Sequence, residues 1–130
     1  MQLEEIKTKI RIKGYLNNIT EDNYEEFEVL GIRNKNKISY IIDNTKYNIK
    51  IIDNNKLLFI RENNEIRHSL LFIPNQNIIS NYLVKENMLD LEIEVKVISL
   101  IINDKEINIK YLIPDSNNLF EYKIEMSDNL

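Results

Sequence analysis

Residues 88–97, MLDLEIEVKV, set Leu89, Leu91, Ile93, Val95 and Val97 at every second position and fill the gaps with Asp90, Glu92, Glu94 and Lys96. A strand puts successive side chains on opposite faces, so this spacing specifies a half-buried β-strand; on a helix the same residues would be smeared around the circumference. The period returns in the first run, where Ile6, Thr8, Ile10 and Ile12 alternate with Lys7, Lys9, Arg11 and Lys13. Further runs of strand-forming residues cover 24–32, 37–42, 47–52, 56–61, 66–73, 77–84, 106–113 and 119–126. Between them stand short polar clusters such as NKNK, DNTK, DNN, PNQN and PDSNN. Asn and Asp suit tight turns because they tolerate left-handed backbone and bond their own chain locally. With only two glycines in the chain, asparagine is expected to supply most positive-φ positions.

No segment shows a 3.6-residue pattern, and the connections are brief. The expected fold is therefore all-β, an antiparallel up-and-down meander. Two packed sheets would satisfy the same pattern. A single barrel of about eight to ten strands is preferred, because closure hides the edges that so many strands would otherwise expose. No repeat or linker interrupts the chain, so residues 1–130 are read as one domain.

Composition narrows the chemistry. There is no cysteine and only one histidine, which leaves no thiolate nucleophile and no cysteine-ligated zinc. No metal site and no cofactor are expected. The net charge of −4 offers no long-range pull on phosphate backbones, so general nucleic-acid binding is not expected. The N-terminal residues lack the apolar core of a secretory leader, and the longest apolar runs fall far short of the ~20 residues that span a bilayer as a helix. A cytoplasmic protein with no membrane partner is the expectation. The basic row Lys7, Lys9, Arg11 and Lys13 is expected to be compensated by Glu26 and Glu28 of the following strand, and the acidic row Asp90, Glu92 and Glu94 to face solvent.

Carrying the alternation through each run gives an inner face of bulky aliphatic residues. Tyr40, Tyr47, Arg61, His68, Tyr82, Tyr111 and Tyr122 interrupt it with polar groups. Apolar walls with a few placed polar groups are the usual build of a small-molecule site, yet a small barrel can also be filled entirely by its own side chains. The sequence leaves both outcomes open. If there is a cavity, Arg61, His68, Tyr82, Tyr40 and Tyr111 are the candidate ligand contacts. An inward guanidinium must meet a carboxylate, carbonyls or an anion. His68 is not expected to be catalytic: Ser69 points to the opposite face of its strand, and Ser80 reaches it only if 66–73 and 77–84 form a hairpin. No catalytic residue is assigned.

The strand ending at Gly31, KISYII at 37–42, Arg61, FIP at 72–74, Tyr82, the alternating strand from Leu89 and INIKY near 111 together resemble the YwiB-like bacterial proteins, a conserved domain of unknown function. The resemblance covers most of the chain. It implies a calycin-like, or lipocalin-like, barrel, and ligand binding only by analogy of shape. Relatives tend to carry glycine where this chain has Asn75 and Asn87, and asparagine is the best substitute for left-handed backbone. The leading functional expectation is a non-catalytic barrel holding a small apolar or amphipathic ligand in its interior or mouth. The alternative is a filled barrel serving as an interaction module or homodimer, suggested by outward apolar residues Leu71, Ile73, Ile41, Ile52 and Leu83.

Overall fold

Each alternating run becomes a strand. In chain order they are β1 (Thr8–Asn18), β2 (Asn23–Asn34), β3 (Lys37–Ile42), β4 (Thr45–Asp53), β5 (Lys56–Glu62), β6 (Ile66–Phe72), β7 (Asn77–Val84), β8 (Leu89–Ile102), β9 (Glu106–Ile113) and β10 (Asn118–Asp128). The computed structural model describes residues 7–128, and Ile6 of the first run lies outside them. Each strand pairs antiparallel with the next, and β1 pairs with β10 from Ile10↔Asp128 to Asn18↔Phe120, closing an up-and-down barrel of ten strands.

The inner face follows the alternation. Ile12, Ile38, Ile49, Leu57, Ile107 and Ile124 have no more than 1% of their surface exposed, with Val95 and Val97 beside them. Burial of such side chains stabilises a fold by about 1.5–3 kcal/mol each, before the entropy of ordering them is set against it. In β8 the pairing shifts between Val97 and Ser99. An extra residue in one strand reverses which parity faces inward, so Leu100 and Ile102, rather than the odd positions, pack on the core beyond that point. The segment before β7 clamps the same place: Asn75 N donates to Val97 O, and Val97 N donates to Gln76 O.

The turns use left-handed backbone at seven non-glycine residues: Asn44, Asn75, Asn117, Asp22, Asp43, Lys35 and Met88. Asparagine thus shares the role with aspartate and two residues of no special aptitude. Asn75 has φ 61° as expected, but in the turn before β8 the left-handed residue is Met88, and Asn87 instead accepts from Leu89 N through Oδ1 at 3.3 Å. Neither glycine has positive φ. Both lie within strands where a Cβ has no room: at Gly14 it would fall 2.4 Å from Lys123 O and 2.7 Å from Phe27 Cζ. Gly14 therefore lets the Phe27 ring lie across the barrel wall.

The barrel has two unequal ends and one short seam. β2 and β3 share only the pairs Ile32↔Ser39, Arg33↔Ile38 and Asn34↔Lys37, so among the described residues the first part of β2 has no strand neighbour on that side. Phe27 bridges the gap by stacking on Tyr40 with ring centroids 5.9 Å apart. β7 and β8 run on past the end of β9, whose last pairs with β8 and β10 are Lys96↔Leu112 and Asn118↔Ile113. Leu89 and Leu91 belong to the inner parity but sit on this overhang, 47% and 41% exposed. On the outer face Leu71, Ile41 and Ile52 are exposed, whereas Ile73 and Leu83 are half-buried. Lys13 stands opposite both Glu28 and Glu125, and Arg11 Nε lies 3.8 Å from Glu28, while Glu26 faces Tyr15.

Candidate ligand cavity at the Arg61 end of the barrel

Short turns fix the register of β3 to β8 and set one inner residue of each strand in a cross-strand row: Tyr40↔Tyr47, Tyr47↔Arg61, Arg61↔His68, His68↔Tyr82 and Tyr82↔Leu91. Four of the five candidate contacts therefore lie in one line around the wall. The fifth, Tyr111, faces in from β9, between Val97 of β8 and Phe120 of β10.

Behind part of this row is a cavity of about 230 Å³. Buried Leu70, Phe72, Ile109, Phe59 and Tyr122 line it together with half-buried Tyr47, Leu16, Ile113 and Phe120. Of the candidate contacts, Arg61, His68 and Tyr111 line it. Tyr40 and Tyr82 do not. Tyr40 is almost fully buried, stacks on Tyr47 at 5.0 Å as well as on Phe27, and gives its hydroxyl to a bond with that of Tyr122. Tyr82 stands behind His68, edge to face with centroids 5.1 Å apart, on the way to the overhang. Tyr47 and Tyr122, two of the inner-face polar residues not counted among the candidate contacts, line the cavity as well. A tight hairpin at the DNN turn would by itself set Tyr47 opposite Glu62, and the bulge between Ile51 and Asp53 moves it by one residue to Arg61.

The polar groups of the cavity are unequally satisfied. Ser80 Oγ donates to Ile93 O at 2.9 Å and lies 3.1 Å from His68 Nε2. With its one hydrogen spent on the carbonyl, Ser80 can only accept from the imidazole, so the network assigns the ring proton to Nε2 and leaves Nδ1 as an acceptor. Burial, then the nearby Arg61 charge, holds the His68 pKa down to about 4. The ring is neutral near pH 7. Burial pushes the Tyr111 hydroxyl up to about 12 against a smaller opposing pull from Arg61. Tyr122 is raised as well, first by burial and then by Tyr40.

This Ser–His contact is not a nucleophile and its base. Ser80 is 1% exposed and held by a carbonyl, and no described carboxylate bonds to the imidazole to orient it, as acyl-transfer chemistry requires. Among the described residues no cluster of His, Asp and Glu is arranged to hold a metal. Arg61 is the unsatisfied member: its Nε is buried and meets no acceptor among the described residues.

No protein-family profile matches the chain, and no match is found among curated proteins. Among solved structures, the crystal structure of the ywiB protein from Bacillus subtilis superposes with a TM-score of 0.71 at 19% identity, over 95% of this chain and 94% of that one. The chain has the YwiB-like fold. At that identity the likeness establishes architecture, so the chemistry of this YwiB-like barrel rests on the cavity itself.

Proposed function

We propose that the chain is a calycin-like member of the YwiB family and that it binds a small, partly apolar ligand in the cavity at the Arg61 end. The observation supporting this is a cavity of about 230 Å³ in an interior otherwise packed with large side chains, lined by aromatic and aliphatic residues and by Arg61, His68 and Tyr111. An apolar cavity of about 150 Å³ accepts benzene, and drug-sized ligands occupy about 300–1,000 Å³. The ligand is therefore about the size of one ring with a short arm. Native mass spectrometry of protein purified from its own cells should reveal an added mass that is released on denaturation. Bare protein, combined with no thermal shift from any small aromatic compound, would refute the reading.

A second reading draws on the seam between β2 and β3. There Leu30, Ile32 and Ile41 are 57%, 45% and 60% exposed beside the unpaired part of β2, and a second copy of the chain could cover them. Sedimentation should then show a dimer that Leu30→Lys dissociates. A monomer at high concentration removes this reading.

A further inference from the structure

Two arginines belong to the inner parity, one at each end of the barrel, and they differ in how they are satisfied. Arg33, on β2, donates from Nη1 to Asp104 O at 2.8 Å and from Nε to Lys35 O at 3.2 Å, and its Nη1 also lies 3.7 Å from Met126 Sδ. It stoppers its end with the chain's own carbonyls. Arg61 has a buried Nε without an acceptor. Among the described residues no carboxylate stands within ion-pair distance of it. Its neighbour Glu62 faces outward and is engaged by Lys85 at 2.8 Å and Arg67 at 3.8 Å. β1 enters the barrel and β10 leaves it at the Arg33 end, where Thr8 pairs with Arg33 and Ile10 with Asp128.

A buried donor on a charged group is costly unless something accepts from it. Nε itself is sealed off; the terminal nitrogens, which also make no hydrogen bond among the described residues, are the part of the guanidinium that can meet a ligand in the cavity, whose other walls are mostly aromatic and aliphatic. The accompanying polar groups are a neutral imidazole and tyrosine hydroxyls that burial keeps protonated. The cavity thus presents one positive charge and no negative one. A planar guanidinium matches a carboxylate by shape and charge together.

Building on the ligand-binding reading above, we infer that the ligand is a small organic carboxylate, its apolar body in the aromatic cavity and its anionic group on Arg61. One positive charge matches a monoanion; a phosphate dianion would be left half-compensated in an otherwise apolar space.

Isothermal titration calorimetry at neutral pH separates the possibilities, with phenylacetate, phenylacetamide and phenyl phosphate as test compounds. The wild-type protein should bind phenylacetate at least about tenfold more tightly than phenylacetamide, the loss expected when a charge-assisted hydrogen bond is removed. In Arg61→Met that ratio should fall to about one while the amide still binds. Arg67→Met, on the outer face, should leave it unchanged. Arg61→Gln gives the same comparison should the methionine variant not fold, as judged by near-ultraviolet circular dichroism. Equal binding of acid and amide by the wild type overturns the anionic assignment and leaves the cavity reading standing. Tighter binding of phenyl phosphate overturns the choice of carboxylate. No heat from any of the three compounds overturns the carboxylate assignment, and the cavity reading falls with it only when native mass spectrometry and thermal shift also find no ligand.

Discussion

Replacing Arg61 by methionine should make the ligand-free protein more stable, not less. The methionine keeps a flexible apolar stem at the position opposite His68. What disappears is a buried Nε with no acceptor. An unsatisfied buried donor costs about 1–3 kcal/mol, and the low end applies here because the rest of the guanidinium reaches an open cavity and only one nitrogen is sealed. A gain of about 1 kcal/mol should raise the melting temperature by about 3–5 °C in a domain of this size. The measurement is thermal unfolding of wild type and Arg61→Met, with Arg67→Met as the exposed control that should move by no more than about 0.5 kcal/mol. A second readout comes from His68, the only histidine in the chain, whose single imidazole signal can be followed by NMR titration. Removing the Arg61 charge should raise its pKa above about 4, yet leave it below 6.5 because burial is the larger cause. A melting temperature lowered by several degrees would mean that the guanidinium is satisfied in the free protein, and the argument from its isolation would fail.

The remaining predictions concern His68, the tyrosine pair and the strand glycine. The unfolded chain takes up a proton on His68 near pH 6.5 and the folded one only near 4, so stability should fall as pH drops through that window and be indifferent to His68 above about pH 7. The difference in urea midpoint between wild type and His68→Gln should track this, and a difference that is flat from pH 7 to 4 contradicts it. Tyr40→Phe should cost about 1–3 kcal/mol by leaving the buried Tyr122 hydroxyl without its partner. The double variant with Tyr122→Phe should lose less than the two single losses added together; strict additivity in denaturation would show the hydroxyls to be uncoupled. Gly14→Ala should destabilise by about 1–3 kcal/mol through overpacking against Lys123 O and Phe27, and an unchanged midpoint would show that the Phe27 ring moves aside freely.

The inner face was legible because the pleat has a period of two and nothing in most strands disturbs it: Tyr40, Arg61, His68 and Tyr111 all follow the alternation inward. It ceased to be legible at Val97, where the bulge reverses the parity and brings Leu100 inside. The bulge is set by the pairing with β9 and by the hold of Asn75 and Gln76 on Val97, which the alternation of β8 does not itself encode. The presence of a cavity was hidden for a related reason. Whether Tyr111 and Phe120 of the late strands leave space opposite Arg61 depends on the stagger of the closed barrel, a property of all ten strands together. Tyr82 shows the limit most clearly. Alternation gave its face correctly, but its distance along the barrel follows from how far β7 and β8 outrun β9, and that length put it behind His68 and outside the cavity.

The ladder between β1 and β10 has a consequence for how the chain could be rewired. Every other ladder joins neighbours in sequence, so contacts of long sequence separation are concentrated in this one seam. Hairpins can form early and locally, with closure of the ring as the slow, entropically expensive step. Because Ile10 and Asp128 are paired, a short linker joining β10 directly to β1 would pre-form that seam. A circular permutant opened instead at the turn between β9 and β10, around Asn117, would carry the same ladders in a different order. Topologically, this barrel is a necklace of hairpins, and the break between β10 and β1 is only one of the places at which it can be unclasped.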